Sequence, residues 1–238
     1  MSEPSAEEKL VWEFFDCSPH GFFVEVGANH PQIGSQTWHL EQKGWRGILI
    51  EPQVDFVPML RTERPGSTIV NAACSFPGAD PVMLLHSPAE NFSGRASLKK
   101  NVDDVDVVYL RTEKVKVTTL NQVVVDAGSP TIELLSIDVE GTELDVLRGL
   151  DLSQHRPALI LIEDKCYSLD KHRYLRGHGY RLIRRTGFNN WYIPGERKFE
   201  GPNLLTRLKL FRKMYLGLPV RKCRRFFESL RRGKAANS

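Results

Sequence analysis

The chain has 238 residues, of which 41% are hydrophobic and 26% are charged, and its formal net charge is +4. This length suits one α/β domain with added segments and excludes two full domains. The sequence contains no run of the roughly 20 apolar residues that a membrane-spanning helix needs, and its first residues lack both parts of a secretory signal. We therefore expect a cytoplasmic protein.

The positive charge is unevenly distributed along the chain. Residues 207–234 contain 11 Lys and Arg residues and one Glu, an excess of ten positive charges. The rest of the chain therefore has a net charge of −6, so the basic character belongs to the C-terminal segment.

The cysteines show no metal-binding pattern. They are scattered as Cys17, Cys74, Cys166 and Cys223, without a CxxC pair. In a cytosolic chain this favours reduced, mostly buried thiols over disulfides.

Short apolar runs that alternate with helix-length segments give the main fold signal. A first helix is predicted over 7–15, where apolar residues recur at helical spacing. The predicted strands that follow are 22–26, 47–51, 67–73, 132–138 and 158–163, and the predicted helices between them are 35–43, 53–63, 119–127 and 142–149. Continuous apolar runs suit strands buried on both faces of a parallel sheet, and the alternation implies right-handed βαβ units in a doubly wound sheet.

The last part of this domain reads as a helix and a hairpin. A helix is predicted near 168–178, followed by strands at 180–186 and 189–194. Gly187 and Phe188 join the two strands, which we expect to form a terminal β-hairpin at one sheet edge.

The segment from His86 to Lys114 is less regular and mixes Ser, Asn, Gly and charged residues. This composition predicts a long loop over the strand ends, and long loops in compact domains are often lids. If the loop closes, Arg95, Lys99 and Lys100 are candidates to grip a substrate.

From residue 204 onward the pattern becomes that of an amphipathic helix. The apolar stripe is Leu204, Leu208, Phe211, Tyr215 and Leu218, repeated after Pro219 by Val220, Cys223, Phe227 and Leu230; the basic residues outside it include Arg207, Lys209, Arg212 and Lys213. A basic helix with a Leu and Phe face fits an anionic membrane surface. Packing on the catalytic domain or on a second subunit is the alternative, and nucleic-acid binding is less favoured.

The stretch VEVGAN places a tight turn after the first strand, where open parallel sheets bind ligands. Gly27 has no Cβ, so a ligand can approach the backbone closely. A nicotinamide-type fingerprint needs two further glycines, but Asn29 and Gln32 stand at those positions. The pyrophosphate interpretation is therefore weak.

Two acids at successive strand ends are more informative than the glycine. Glu25 lies within an apolar strand, where an ionised carboxylate is costly unless a polar or cationic partner faces it, such as a ligand with ammonium and sulfonium charges. Glu51 ends the second strand, where an acid can hold the diol of a ribose. Glu51 thus indicates an adenosine-containing cofactor without saying which one.

The motifs VEVGAN, ILIEP, VNAACS and LLSIDVEGTELDVLRGL resemble those of the FkbM-type methyltransferases, a branch of the class I S-adenosylmethionine-dependent enzymes. The resemblance runs from about residue 7 to 194. It implies a doubly wound, mostly parallel seven-stranded Rossmann-like sheet in a methyltransferase domain at 21–200. The N-terminal helix at 1–20 and a basic helical tail at 201–238 would flank this domain.

The resemblance also implies roles for individual positions. Glu25, Gly27 and Asn29 would border the methionine part of S-adenosylmethionine, Glu51 would hold the ribose, and Asn71 to Ala73 would lie near the adenine. The full cofactor-binding set is Glu25, Gly27, Ala28, Asn29, Ser35, Glu51, Pro52, Asn71, Ala72 and Asp138. His30-Pro31 departs from the family pattern, where an Asp-Gly-like pair is expected, and this affects the conformation expected for the loop.

Most members of this family methylate hydroxyl groups, so the resemblance implies an O-methyltransferase for a sugar, glycolipid or related natural product. A hydroxyl is a poor nucleophile and gains from a nearby base. Candidate bases are the strand-end acids Asp138, Glu140, Glu163 and Asp164, with Asp138 or Glu163 as the first choice. His30 and His172 are weaker options. Glu143 is more simply explained as an acid that complements a helix start.

Several alternatives remain open from the sequence. The clustered carboxylates could bind Mg²⁺ or Mn²⁺, which we do not favour over a base. Lys165 and His172 could contact an acidic acceptor. The same fold could serve an N-methyltransferase, a catalytically silent cofactor-binding module or a nicotinamide-dependent enzyme. A homo-oligomer is compatible with the sequence.

Overall fold

The computed structural model describes residues 4–88, 95–99, 109–199 and 204–223. Two compact units divide the chain, Met1–Glu163 and Asp164–Ser238. The domain boundaries expected from the sequence, at 20/21 and 200/201, stay a prediction.

The first unit begins with the helix α1, Ala6–Phe14. Its start is fixed by a capping box, because Ser5 Oγ accepts from the Glu8 amide while the Glu8 carboxylate accepts from the Ser5 amide. The predicted N-terminal helix is confirmed.

Eight strands belong to the first unit, and five of them form its parallel sheet. The strands are β1 (Phe22–Val26), β2 (Arg46–Ile50), β3 (Ser67–Val70), β4 (Ala73–Ser75), β5 (Val82–Pro88), β6 (Tyr109–Thr119), β7 (Leu134–Ile137) and β8 (Leu159–Glu163). The parallel strands are ordered β3-β2-β1-β7-β8. The order reverses between β1 and β7, so the carboxyl ends of β1, β2 and β7 meet at the crevice that such sheets use for ligands.

The crossover helices are shorter than the sequence predicts but occupy the expected segments. They are α2 (Trp38–Gln42), α3 (Val57–Glu63), α4 (Leu120–Asp126) and α5 (Glu143–Arg148). The four residues of β7 and all five of β8 are buried, as expected for strands covered on both faces.

A second, three-stranded sheet in the first unit corrects the expected loop at 86–114. Its order is β4-β6-β5, with β5 antiparallel and β4 parallel to β6. The prediction was wrong for 86–88 and 109–114, which belong to strands β5 and β6. Only Val115 of β6 is buried, so the hydrophobic signal of this strand is weak. Of the expected loop, residues 89–94 and 100–108 lie outside the described residues.

The second unit contains a helix, a hairpin and the C-terminal helical segment. Its elements are α6 (Asp170–Gly177), β9 (Tyr180–Thr186), β10 (Asn189–Pro194) and α7 (Leu204–Phe211), followed by a π-helical stretch at Arg212–Leu216. The hairpin has the predicted bounds and the predicted two-residue turn. The predicted α/β class, with a mostly parallel seven-stranded sheet and a helical tail, is confirmed.

The cysteines are all free thiols. Cys74 and Cys166 are buried, but Cys17 and Cys223 are exposed, so the expectation of mostly buried thiols holds for only half of them. In the part of the chain that the structure describes, no helix has the length and apolar character to cross a membrane.

Candidate functional site

The turn after β1 is pinned between two neighbouring strands. The amides of Gly27 and Ala28 both donate to the Ile50 carbonyl at the end of β2, over 2.9 and 3.1 Å. Gly27 has φ +87°, and a Cβ placed on it would lie 1.8 Å from the Asp138 carbonyl oxygen. The glycine is therefore required by the chain's own backbone, whereas the sequence analysis ascribed it to close approach of a ligand.

Asn29 completes this turn in the left-handed region, with φ +50°, a conformation that asparagine tolerates better than most residues. Its amide donates to Glu51 Oε2 over 2.8 Å. The turn thus points a backbone donor at the acid that follows β2.

Glu51 is the buried acid of the site. It is only 2% exposed, and its second oxygen, Oε1, accepts from the Gln53 amide over 2.8 Å. Burial raises the pKa of Glu51 to about 7, although these two backbone hydrogen bonds act in the opposite direction. The carboxyl is therefore held in place by the chain and partly ionised at neutral pH.

A cleft opens in front of Glu51 at the carboxyl ends of β1, β2 and β7. The predicted residues that line it are Gly27, Asn29, Glu51, Pro52, Ala72, Ala73 and Asp138. The free space between the lining residues is about 480 Å³, part of which is open to solvent. The structure therefore brings together Gly27 and Asn29 of the turn, the predicted ribose ligand Glu51, and Asp138.

Some predicted cofactor residues lie outside the cleft wall as the described residues define it. Ala28 is buried, and Ser35 binds the carboxylate of Glu25. Asn71 donates its side-chain amide to the carbonyls of Glu51 and Pro52, over 2.8 and 3.1 Å. Asn71 thus holds the backbone of the strand end that carries Glu51.

Glu25 has partners within the chain, contrary to the argument that it needs a cationic ligand. Its carboxylate accepts from the hydroxyl of Thr37 over 2.5 Å, the amide of Gln36 over 2.9 Å and the hydroxyl of Ser35 over 3.1 Å. Hydrogen bonds from polar groups of the loop after β1 therefore offset the cost of burying the Glu25 carboxylate. The same hydrogen bonds hold this loop in place.

A buried guanidinium extends this network. Arg64 is 1% exposed and donates to Glu41 over 2.7 Å, to Thr37 over 2.7 Å and to the Pro31 carbonyl over 3.0 Å. The loop after β1 is therefore held at both Pro31 and Thr37 by one residue at the end of α3. No sequence motif marks Arg64, which was missed.

The second sheet supplies a wall of the cleft that the sequence analysis also missed. Cys74 from β4, Leu85 from β5 and Ala96 and Leu98 from the segment 95–99 line it, together with Gln53, Val139 and Thr142. Burial raises the pKa of Cys74 to about 12, so this residue acts as an apolar thiol. Of these residues, Ala96 and Leu98 were overlooked because 86–114 was taken for a loop.

The segment 95–99 is tied to the turn after β7. Ser97 pairs with His86 through both backbone groups and donates its hydroxyl to the Glu140 carbonyl over 2.8 Å. Lys99 donates to Asp145 over 2.6 Å, and the substrate contact expected for it stays a prediction. Arg95 is exposed, and Lys100 lies outside the described residues.

Three acids meet at the carboxyl ends of β7 and β8. Carboxylate oxygens of Asp138, Glu140 and Glu163 all lie within 4.8 Å of one another. Asp138 is exposed and lines the cleft, whereas Glu163 is buried. This spacing suits either a base for an acceptor hydroxyl or ligands for a divalent cation.

The neighbouring acid Glu143 has a structural contact, because it accepts from the Gly141 amide over 2.6 Å at the start of α5. This agrees with the expected role at a helix start. His30 is likewise engaged, since its Nδ1 accepts from the amides of Gln32 and Ile33 over 3.1 and 3.0 Å.

The remaining candidates belong to the second unit. Asp164 accepts from the Cys166 amide over 2.8 Å and from the Asn190 side chain over 3.0 Å. His172 is buried, with its ring nitrogens 3.1 and 3.0 Å from the hydroxyls of Tyr192 and Tyr215, and burial lowers its pKa. Lys165 is half-buried. The expected role of Asp164 and His172 as a base stays a prediction. So do the expected contacts of Lys165 and His172 with an acidic acceptor.

Comparison with known proteins gives one family match. The family described as "Methyltransferase FkbM domain" matches residues 25–182. No curated protein matches the chain.

Solved structures similar to the chain include three methyltransferases. One is the methyltransferase FkbM from Methylobacillus flagellatus KT, with a TM-score of 0.48 and 15% identity, covering 74% of this chain; the chain covers 44% of that protein. The precorrin-6y C5,15-methyltransferase from Geobacter metallireducens GS-15 has a TM-score of 0.40 and 11% identity, over 78% of this chain and 85% of the other. The C-terminal domain of precorrin-6Y C5,15-methyltransferase from Rhodobacter capsulatus has a TM-score of 0.38 and 14% identity, over 83% and 91%.

Proposed function

The chain belongs to the FkbM methyltransferase family, and from this premise we propose that it transfers a methyl group from S-adenosylmethionine to a hydroxyl of a sugar, glycolipid or related natural product. The observation that carries the proposal is Glu51, a buried acid directly after the second parallel strand that lines the cleft at the carboxyl ends of β1, β2 and β7. The family match supports the methyl transfer, and the choice of a hydroxyl acceptor follows from the sequence resemblance.

The residues of the cleft fit an adenosine-containing cofactor. A carboxylate has about four acceptor positions, and the backbone amides of Asn29 and Gln53 occupy one on each oxygen of Glu51. The Gln53 side-chain amide adds a long contact of 3.4 Å to Oε1, which a ligand hydroxyl can replace. Acceptor capacity is thus left for the two hydroxyls of a ribose. Leu85 and Leu98 give the same cleft apolar walls that suit a flat base.

When bound, the cofactor would supply a methyl group on a positively charged sulfur. The chain then has to hold the acceptor hydroxyl in line with that carbon, exclude water and take up the hydroxyl proton. Asp138 is the first candidate for the proton, because it lines the cleft, and Glu163 is the second. Each would accept the proton on a carboxylate oxygen as the new carbon–oxygen bond forms.

Methyl transfer to a panel of sugar and glycolipid hydroxyls tests the proposal, with Asp138→Asn, Glu163→Gln and the exposed-site control Asp80→Asn. Loss of the base should lower turnover at least about 100-fold in one of the first two variants. Calorimetry with S-adenosylhomocysteine should show that this variant still binds the cofactor product. The control should behave as the unmodified chain.

Two outcomes would contradict the proposal. A chain that binds NAD in preference to S-adenosylhomocysteine would overturn the cofactor assignment. Cofactor binding without turnover on any hydroxyl would overturn the reaction, and turnover on amines alone would point to an N-methyltransferase. Full activity after exhaustive chelation would remove a divalent cation at the three-acid cluster.

A further inference from the structure

The C-terminal helical segment, residues 204–223, has apolar side chains on two different sides. One side packs on its own unit through Met214, which is 1% exposed and lies 3.6 Å from the sulfur of Cys166. The Tyr215 hydroxyl, one residue on, lies 3.0 Å from His172 Nε2. Tyr215 belongs to the apolar stripe predicted from the sequence, but in the structure it packs on the second unit together with Met214.

The other side is exposed. Leu204, Leu205, Leu208 and Phe211 are 70%, 68%, 55% and 52% exposed, and we call these four residues the exposed apolar face. At 3.6 residues per turn they fall within an arc of about 120° on α7. Phe211 borders the packing side, since its ring centroid lies 5.1 Å from that of Tyr215. More than half of each of these four side chains nevertheless stays exposed, so packing on the second unit covers them only in part.

Basic residues border the exposed apolar face on both sides. At the same helical pitch, Arg207 lies about 40° beyond one edge of the arc and Lys209 about 40° beyond the other. Both are exposed. This is the arrangement in which long basic side chains reach the headgroups of a lipid layer while the apolar residues between them enter its surface.

The charge of the C-terminal helical segment indicates which class of partner its exposed apolar face would bind. Residues 204–223 contain six Arg and Lys residues and no Asp or Glu. Two copies of this face would bring like charges together, which disfavours a symmetric dimer through it. A nucleic acid would satisfy the charge but would leave four large apolar side chains in water. An anionic bilayer would pair with the basic side chains and would also remove the four apolar side chains from water.

We propose that the exposed apolar face docks the protein on the surface of a bilayer that contains anionic lipids, with α7 lying in the plane of the interface. The proposal is independent of the methyl-transfer reaction, since it uses no residue of the cleft. It places the chain at the membrane as a peripheral protein.

The test is co-sedimentation of the full chain with vesicles of phosphatidylcholine alone and of phosphatidylcholine with 30 mol% phosphatidylglycerol, a composition chosen for the assay. The chain should sediment with the anionic vesicles only. Leu208→Gln/Phe211→Gln should weaken this binding roughly thirtyfold, because two half-exposed apolar side chains no longer enter the lipid. Arg207→Gln/Lys209→Gln should weaken it by a similar factor.

Matched controls use exposed positions elsewhere. Val125→Gln/Phe188→Gln removes two comparably exposed apolar residues, and Lys114→Gln/Lys116→Gln removes two exposed charges. Both should bind as the unmodified chain. All variants change exposed side chains, so circular dichroism should show the same folded content.

Three results would overturn the proposal. The first is equal sedimentation with neutral and anionic vesicles. The second is unchanged binding by the Leu208/Phe211 variant, which would reduce the interaction to charge alone. The third is displacement of the chain from the vesicles by single-stranded RNA that depends on Arg207 and Lys209 but not on Leu208 and Phe211. This result would identify a nucleic acid as the partner.

Discussion

Replacement of Glu51 by glutamine is the most informative single change in the cleft. In the folded chain each carboxylate oxygen accepts one backbone amide, from Asn29 and from Gln53, both over 2.8 Å. Glutamine keeps the size of the side chain but has one acceptor oxygen. It therefore removes the charge and leaves one backbone amide facing an NH₂ group.

The size of the effect on cofactor binding follows from the hydrogen bonds lost. A hydrogen bond to a charged group contributes about 1.5–3 kcal/mol and a neutral one about 0.5–1.5 kcal/mol. If the ribose donates two bonds to ionised Glu51 and only one neutral bond to the variant, the loss is roughly 2–4 kcal/mol. Binding of S-adenosylhomocysteine should weaken by about 30- to 1,000-fold.

The pH dependence makes this prediction specific. The pKa of Glu51 is about 7, and the ribose hydroxyls bind the ionised form. Affinity of the unmodified chain should therefore fall about tenfold per pH unit below 7 and level off above it. The glutamine variant should bind with the same affinity at pH 6 and pH 8, because position 51 no longer titrates.

The same pKa predicts an opposite trend in stability without the cofactor. The pKa of Glu51 in the folded chain lies above the ordinary glutamic acid value of 4.5, so the folded chain favours the protonated acid. Its contribution to stability is complete below pH 4.5 and is lost as the pH rises through about 7, a change of roughly 3 kcal/mol. The glutamine variant should lack this loss in urea unfolding.

Isothermal titration calorimetry with S-adenosylhomocysteine at pH 6, 7 and 8 measures the binding, and Asp80→Asn is the control for loss of one exposed charge. Affinity of the Glu51→Gln variant within threefold of the unmodified chain at pH 8 would refute the role of Glu51. A pH profile shared by the two proteins would show that another group titrates.

Two further substitutions test the turn at Gly27 and the buried hydrogen-bond network of Arg64, and urea unfolding measures their effect on stability. Gly27→Ala should destabilise the chain by roughly 1–3 kcal/mol more than Gly78→Ala. Both glycines have φ near +90°, but only a Cβ at Gly27 would meet the backbone, at 1.8 Å from the Asp138 carbonyl oxygen. Equal losses of stability in the two variants would contradict this close approach. Arg64→Met should cost about 3–5 kcal/mol, since it leaves a buried acid without its cation. The exposed Arg61→Met should change stability little, and similar values for the two arginine variants would contradict the buried network.

The sequence was sufficient to predict the parallel sheet and the place of Glu51. Strands buried on both faces are continuous apolar runs, and an acid directly after such a run lies at the carboxyl edge of the sheet. The hairpin was equally predictable, because Gly187-Phe188 is a two-residue connection between two clear strand patterns.

The rest of the site depends on contacts between residues that are far apart in the chain. Glu25 looked as if it needed a ligand, but its partners lie in a loop whose path the sequence does not specify. Arg64 binds Pro31 and Thr37 across some 30 positions, with no motif to mark it. The stripe in the C-terminal segment was recognised, but only three-dimensional packing separates Met214 and Tyr215 from the exposed side chains.

The second sheet has a consequence for how the cleft could change its shape. Leu85, Ala96 and Leu98 belong to β5 and the segment that pairs with it, and they face the cleft without forming part of the parallel sheet. Glu51 and the turn at Gly27 come from the parallel sheet itself. Insertions or exchanges in the antiparallel ribbon can therefore reshape one wall of the cleft, the wall that would contact a flat base, while Glu51 and the turn at Gly27 keep their geometry.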